Sequence, residues 1–342
     1  PSHRFDMELE EDLYEEILRC YGYDNIPINP PKSGPVARAT DYSASEKLKG
    51  GLVFGGFQEL MHMPFVSTET FNALNSNNWS PAELSNPINE NEPLMRGSLF
   101  GSLFSAINLN VKKGYSAMKF FEHGNVFRKI KNGFVQESHI SGLIYFHESQ
   151  KTWSDKSLQY DFYSLKAEVL QLLETLRVKS IKLVPNSSSM IFTVNAMDIF
   201  AGKRKIGMLG EINPTATQKL IKNPAFGFEI YPEKISTKSS TLKLKPVSKF
   251  PSSSRDLNIL INQSYSYAEI ETVLLNSKIQ FLHSLALANT FEGKGIPDGS
   301  ISMTLRFMFQ SPVKSLKESE INTSMDKAFH LLNKAFKAKI RS

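Results

Sequence analysis

The residues best suited to chemistry are carboxylates near the start of the chain. They are Asp6, Asp12, Glu15 and Glu16. Residues three and four apart on a helix are neighbours, so Asp12, Glu15 and Glu16 share one face, and Asp6 lies just before it. Carboxylates this close repel one another unless a cation lies among them, and Mg²⁺ prefers such oxygen ligands. The alternative is that the helix dipole favours acids in the first turns and water solvates the rest. Spacing alone favours this second interpretation.

No other residues form a catalytic set by their types and spacing. The seven histidines are scattered without the spacing of metal ligands, and Cys20 is the only cysteine. Ser253 and Ser254 have no histidine close by in the sequence that could act as a base. We therefore expect no catalytic residues in this chain.

Composition points to an ordinary water-soluble protein without a membrane segment. The chain has 342 residues, of which 41% are apolar and 22% charged, with a net charge of +6. This length suggests two or three domains. A single cysteine cannot form an internal disulfide, so we expect a cytoplasmic protein. The start lacks a Met and a signal sequence, so we expect a piece of a longer protein.

Charge is distributed unevenly along the chain. Residues 1–30 carry eight Asp and Glu against two Arg, whereas residues 243–342 carry fourteen Lys and Arg against eight acids. A polyanion would therefore be repelled at one end and attracted at the other.

Stretches typical of linkers, together with the spacing of apolar residues, divide the chain into three segments. Residues 1–38 comprise a helix from about Glu8 to Cys20 and a proline-rich linker. Residues 39–242 mix helices and strands in an α+β order, with helices predicted at 99–111 and 162–176. Strands are predicted at 118–121, 139–147, 190–200 and 225–231, in an antiparallel sheet with hairpin turns at Asn132-Gly133 and Gly202-Lys203.

Residues 243–342 follow a βαββαβ order, which is typical of a ferredoxin-like fold. Strands are predicted at 257–261, 281–291 and 301–309, with a short closing strand at 338–341. Capping boxes are predicted at Ser266 with Glu269 and at Ser315 with Glu318, where the two helices begin.

The first segment carries a long motif that resembles a known family. Arg-Phe-Asp-x₅-Asp-Leu-x-Glu-Glu, followed by Tyr-Gly-Tyr-Asp-Asn-Ile-Pro at residues 21–27, resembles the end of the winged-helix-like domain in bacterial phenylalanyl-tRNA synthetase β subunits. In that family these carboxylates bind Mg²⁺ at a site shared with the α subunit. The resemblance therefore implies a Mg²⁺ site at Asp6, Asp12, Glu15 and Glu16, and it reverses the preference drawn from spacing.

The middle segment resembles the catalytic-like module of the same subunit. The matching stretches are residues 84–90, 94–99, 120–127 and 206–214. The resemblance implies a class II synthetase fold that packs against the catalytic α subunit and performs no catalysis. The residues agree, because an adenylate-forming site needs arginines aimed at the nucleotide, and the strand Lys119–Glu122 has Phe where the arginine is expected.

The third segment resembles the ferredoxin-fold anticodon-binding domain, with matches at residues 249–251, 291–299 and 302–312. Two mild departures are Asn289-Thr290 and Ser315, where the family usually has Asp and Thr. RNA binding would use cations for phosphates and aromatic rings for bases. The candidates are Lys249, Arg255, Phe291, Lys294, Arg306 and Arg341. In the alternative interpretation, Arg255 pairs with Asp256, Phe291 belongs to the core and Arg306 faces solvent.

The resemblance implies part of an enzyme that attaches phenylalanine to its tRNA with ATP and Mg²⁺. The implied partners are the tRNA for phenylalanine and the α subunit, in an α2β2 heterotetramer, without a membrane. A stand-alone RNA-binding or regulatory protein with a ferredoxin-like module is the main alternative, but such a protein has no reason to keep four carboxylates for an α chain. A self-sufficient class II ligase is a second alternative, which ATP–pyrophosphate exchange by this chain would reveal.

Overall fold

The structure is a computed structural model that divides into two compact units, residues 1–240 and 241–342. It describes residues 3–29, 43–75, 79–146, 160–193, 195–217, 224–236, 246–293 and 295–341. The predicted proline-rich linker lies largely outside the described residues.

The amino-terminal helix, α1, spans Glu10–Tyr21 and begins two residues later than predicted. The Asp12 carboxylate sets this start, because it accepts hydrogen bonds from the backbone N–H groups of Glu8 at 2.9 Å and Leu9 at 2.8 Å. Gly22, at a φ of 91°, ends the helix in a backbone conformation that favours glycine. No residue of α1 is buried, so the apolar stripe of Leu9, Leu13 and Ile17 faces outward among the described residues.

The described residues of the first unit that follow α1 form nine strands. They are β1 (Gln58–Leu60), β2 (Phe65–Val66), β3 (Leu94–Met95), β4 (Ala117–Ile130), β5 (Gly133–Phe146), β6 (Ile181–Pro185), β7 (Met197–Ala201), β8 (Arg204–Glu211) and β9 (Ala225–Ile230). Seven of them form one sheet in the order β1-β4-β5-β9-β8-β7-β6, and β2 pairs with β3. The sheet is antiparallel as predicted except at its edge, where β1 runs parallel to β4.

Both predicted hairpins of this sheet are confirmed, since β4 pairs with β5 and β7 with β8 across the expected turns. The strand predicted at 190–200 is only partly right. Phe192 forms an isolated bridge with Ile212, and the Ala196 N–H donates to the Thr193 carbonyl at 3.0 Å just before the strand that starts at Met197. Phe192 and Ala196 are buried in the core, so their apolar character reflects packing rather than a continuous strand.

Helices cover both faces of the large sheet. The four helices are α2 (Ala44–Phe54), α3 (Thr68–Leu74), α4 (Phe100–Lys112) and α5 (Phe162–Thr175). On one face α2 and α5 bury Leu48 and Leu165 against strand residues such as Phe121. On the other face α4 buries Phe100 and Phe104 against its own set of strand side chains. The predicted helices at 99–111 and 162–176 are α4 and α5.

The second unit has the predicted βαββαβ order. Its elements are β10 (Ser253–Asn262), α6 (Tyr267–Asn276), β11 (Leu282–Phe291), β12 (Ser300–Phe309), α7 (Glu318–Phe336) and β13 (Lys339–Ile340). The strands form one antiparallel sheet in the order β11-β12-β10-β13. The helices pack on one face of it, where Ile259, Leu305 and Phe307 are buried.

One of the two capping boxes predicted in this unit is confirmed and the other is wrong. Ser266 caps α6, and the Glu269 carboxylate accepts from its backbone N–H at 2.7 Å. At α7 the cap is Lys317, whose backbone N–H donates to the Glu320 carboxylate at 2.9 Å. The helix therefore starts two residues after the predicted Ser315–Glu318 box would place it.

Candidate functional site

Two of the four candidate metal-binding carboxylates near the start of the chain are paired with arginines of the same chain. Arg4 donates to Asp6 at 2.8 Å and to Glu16 at 2.8 Å, and Arg19 also contacts Glu16. The hydrogen bond from Arg4 lowers the pKa of Asp6 to about 2. Arg4 thus stands as the cation among these acids.

The other two predicted metal ligands, Asp12 and Glu15, lie in different environments. The Asp12 carboxylate caps α1, and Glu15 is exposed on the helix. Among the described residues, no three His, Cys, Asp or Glu side chains are placed to hold one metal ion. Their oxygen donors suit Mg²⁺, but the arrangement in this chain does not fit a preformed ion site. The predicted Mg²⁺ site stays a prediction.

The large sheet contains a buried ion pair on β4, the strand that the sequence analysis compared with the motif of an adenylate-forming site. Glu122 on β4 and Arg96 after β3 are both almost fully buried, and the Arg96 Nη1 donates to Glu122 at 2.6 Å. His62 Nδ1 lies 2.7 Å from the second carboxylate oxygen, and Arg96 Nε donates to the Asn125 carbonyl at 2.9 Å. Burial would raise the pKa of Glu122, but the hydrogen bond from His62 and the charge of Arg96 outweigh it and lower the pKa.

Phe120 and Phe121, which precede Glu122, are buried in the two opposite cores of the sheet. The absence of an arginine at this point of β4 is therefore a packing feature. Arg96 lies in the matching stretch 94–99, but no local pattern in the sequence assigns it a role. The available signal was Glu122 itself, because a carboxylate in an apolar strand needs a buried cation as partner.

A second buried polar cluster lies on the α4 side of the same sheet. His139 Nδ1 lies 3.1 Å from Glu229, both side chains are almost fully buried, and Ser141 donates to Glu229 at 3.1 Å. Burial would lower the pKa of His139, but the charge of Glu229 outweighs it and raises the pKa. His139 and Glu229 border a cavity of about 50 Å³ that Trp79 also lines. A cavity this small is far below the roughly 300–1,000 Å³ of ligand pockets.

In the second unit, the sheet face opposite the helices carries polar and aromatic side chains. We call this the open face and define it by Asp256, Asn258, Phe291, Thr304, Arg306 and Arg341. Arg306 binds Asp256 with two hydrogen bonds of 2.8 and 2.7 Å. Phe291 is 44% exposed, and the Arg341 guanidinium lies 5.2 Å from the centre of its ring. With a cation and an exposed ring side by side, the cation can bind a phosphate of RNA while a base stacks on the ring.

The contacts of the open face bear on the alternative interpretation of these residues, in which Arg306 faces solvent, as it does here. Asp256 pairs with Arg306 and not with its neighbour Arg255, and Phe291 is not part of the core. Arg255 lies two residues before Leu257 on β10 and therefore points to the same, helix-packed face. There it approaches Glu318 at 3.8 Å.

The predicted RNA-binding residues therefore divide into two groups. Arg306, Arg341 and Phe291 lie together, whereas Arg255 faces the other way and exposed Lys249 precedes β10. Lys294 lies outside the described residues.

Comparison with known proteins places both units in one family. Residues 26–231 match the family described as the phenylalanyl tRNA synthetase beta chain CLM domain, and residues 248–341 match the ferredoxin-fold anticodon binding domain. The chain belongs to the phenylalanyl tRNA synthetase β chain family. The α+β class and the ferredoxin-like fold predicted from the sequence are thereby confirmed.

Relatives in this family match nearly the whole chain. The phenylalanine–tRNA ligase β subunit of Dechloromonas aromatica is 30% identical over 100% of this chain and 44% of its own length. That of Chromobacterium violaceum is 29% identical over 95% of this chain and 41% of its own length. The chain thus spans less than half the length of these relatives.

Solved structures resemble this chain less closely than these relatives do. A pyrrolysyl tRNA synthetase of Desulfitobacterium hafniense matches 55% of this chain and 64% of its own, with 15% identity and a TM-score of 0.42, too little to support an argument. Over the described residues, no helix is long and apolar enough to span a membrane.

The His139–Glu229 pair predicts a pH-dependent stability of the first unit. Because the folded pKa of His139 is raised, its contribution is complete below about pH 6.5 and is lost as pH rises through the folded value. The pKa of Glu229 is lowered, so its contribution is lost only as pH falls below about 4.5. We expect His139→Gln to cost about 3–5 kcal/mol near pH 6 and less above pH 8.

Urea unfolding followed by tryptophan fluorescence measures this, since Trp79 and Trp153 both belong to the first unit. His283→Gln, in the second unit, is the matched control and should change nothing. An equal loss for His139→Gln at pH 6 and pH 9 would contradict the ion-pair account.

Proposed function

We propose that this chain is the carboxy-terminal part of a phenylalanine–tRNA ligase β subunit. In the complete cytoplasmic enzyme it would support the ATP-dependent attachment of phenylalanine to its tRNA, beside an α subunit in an α2β2 heterotetramer. The observation that carries the proposal is the open face, with Arg306, Arg341 and Phe291, in a chain whose two units match this family in order.

The proposed role is noncatalytic. Both faces of the large sheet are covered by helices, and the polar cluster around His139 leaves a cavity of only about 50 Å³. Glu122 is held by the buried Arg96, which is therefore not free to meet a nucleotide phosphate. In this proposal the α subunit supplies the adenylation site.

An assembly surface for the α subunit is supported by exposed apolar side chains around α2 and β1. Phe54 is 96% exposed and Met61 is 93% exposed, and Val53 and Met63 extend the same region. Large apolar side chains clustered at a sheet edge are typical of a surface that another chain covers. A stand-alone RNA-binding protein would have no need of this surface.

The proposal keeps Asp6, Asp12, Glu15 and Glu16 as this chain's share of a Mg²⁺ site completed by the α subunit. It requires Asp6 and Glu16 to release Arg4 and to bind the Mg²⁺ ion when the partner subunit joins. Lys249, Arg255 and Lys294 stay in the proposed RNA-binding set with the open face.

The metal proposal predicts that Glu15→Ala lowers both the Mg²⁺ content and the yield of the complex with the α subunit. Glu15 suits this test because it makes no contact that caps α1, unlike Asp12. Glu11→Ala removes an equivalent exposed carboxylate of the same helix and is the control. Metal analysis and gel filtration of the co-purified complex measure the effect. Equal Mg²⁺ content and assembly in both variants would refute the assignment.

The RNA proposal predicts that Phe291→Ala with Arg341→Gln weakens binding of phenylalanine tRNA. Loss of one stacked base costs about 1–3 kcal/mol, and loss of one phosphate contact lowers the salt slope of binding by about 1. Filter binding across a KCl series measures both. The control is Lys334→Gln, an exposed cation on α7, which belongs to the helix layer of the sheet. Unchanged affinity and slope in the double variant would count against the open face.

A further inference from the structure

Three loops of the first unit meet at one end of the large sheet. They follow α5, join β7 to β8, and follow β9, respectively. Hydrogen bonds tie them together, because Gly202 N–H donates to the Ser180 carbonyl at 3.0 Å and Arg204 Nη1 to the Lys234 carbonyl at 3.3 Å. Between them lies an open depression of about 720 Å³. We call it the basic groove and define it by its five cations, Arg177, Lys179, Lys203, Arg204 and Lys234.

The charge of the basic groove is unusual within this unit. Its ten lining residues include these five cations and no Asp or Glu, although Glu174 and Glu233 are exposed nearby. Lys179, Lys203, Arg204 and Lys234 form no ion pair with a carboxylate of the described residues. Several cations elsewhere in the unit are paired with a carboxylate, as in Lys49 with Glu59, Lys119 with Glu168, Arg128 with Glu137 and Lys205 with Asp198.

Ordinary structural roles account for only part of this cluster. A helix carboxyl terminus favours nearby cations, which would explain Arg177 and Lys179 after α5. A cation–π contact accounts for part of Lys234, whose Nζ lies 4.2 Å from the centre of the Tyr231 ring. Neither reason applies to Lys203 and Arg204, which lie where the chain turns from β7 into β8. Like charges gathered close together repel one another, so an anion that binds there would relieve the repulsion.

We propose that the basic groove binds phosphates of the RNA backbone and gives the synthetase-like unit its own contact with tRNA. This inference rests on the proposed function and adds a second RNA surface to it, separate from the open face. The groove is wide, and its cations are exposed at the ends of flexible side chains, which suits phosphates rather than base edges.

The groove differs from a protein-binding surface. The cores of protein interfaces are rich in aromatic residues and methionine and poor in lysine. Three of the groove's five cations are lysines, and its one partly buried apolar side chain of any size is Val178. The exposed Phe54 and Met61 near β1 have the composition that the groove lacks.

The test compares two triple variants of the full chain in complex with an α subunit. Lys179→Gln, Lys203→Gln and Lys234→Gln remove three charges from the groove. Lys112→Gln, Lys113→Gln and Lys131→Gln remove three exposed charges from other places. Binding of transcribed phenylalanine tRNA and of an unrelated tRNA is measured across a KCl series. Circular dichroism establishes that both variants are folded.

For the groove variant we expect the slope of log affinity against log salt to fall by about 2–3. Both tRNAs should weaken by the same factor, because phosphate contacts carry no sequence information. Arginine at the same three positions should restore the slope.

A slope equal to that of the control variant would overturn the inference and leave the proposed function standing. Loss of the α subunit without loss of tRNA binding would also overturn it, because the groove would then be a protein contact. If the unaltered complex binds no tRNA, both the inference and the proposed function fail.

Discussion

The buried ion pair between Arg96 and Glu122 is the interaction on which the character of the first unit depends. A carboxylate in the middle of an apolar sheet must have a cation, and removing that cation would cost about 3–5 kcal/mol. Arg96 meets this need, and its hydrogen bond to the Asn125 carbonyl fixes the loop after β3 against β4. Gly124 is part of the same constraint, since a Cβ there would come within 2.2 Å of the Arg96 guanidinium. Helices pack on both faces of this sheet, and the functions that we propose lie on exposed surfaces.

Three kinds of surface remain for that function, and each has a distinct physical character. The region around α2 and β1 exposes large apolar side chains, which suits a protein partner. The open face of the second unit presents cations beside an exposed ring, and the basic groove presents cations alone. The acidic helix differs from all of these, because Arg4 already satisfies two of its carboxylates. The proposed scaffold, which would hold a protein on apolar surface and a nucleic acid on basic surface, accounts for this separation.

Local patterns in the sequence predicted the elements, and contacts distant in sequence decided what the sequence could not. The alternation of Leu257, Ile259 and Ile261 predicted β10, and the same period could have placed Arg255 on the helix-packed face. The pairing of Arg306 with Asp256 depends on the register of β10 against β12, which no local pattern encodes. Arg96 lies 26 residues from Glu122, and the basic groove gathers cations from three loops. The Ser315 capping box failed because the Glu320 carboxylate, and not that of Glu318, accepts from the backbone N–H three residues before it, so the helix starts two residues later.

The most direct test of the noncatalytic, tRNA-holding role is phenylalanine charging by an α subunit with full-length β, compared with a β chain that ends at residue 242. Pyrophosphate exchange in the same samples reports whether adenylation is intact. The account predicts that the shortened β chain supports exchange but loses most tRNA charging, and that this chain alone performs no exchange. Full charging without the second unit, or exchange by this chain without the α subunit, would contradict it.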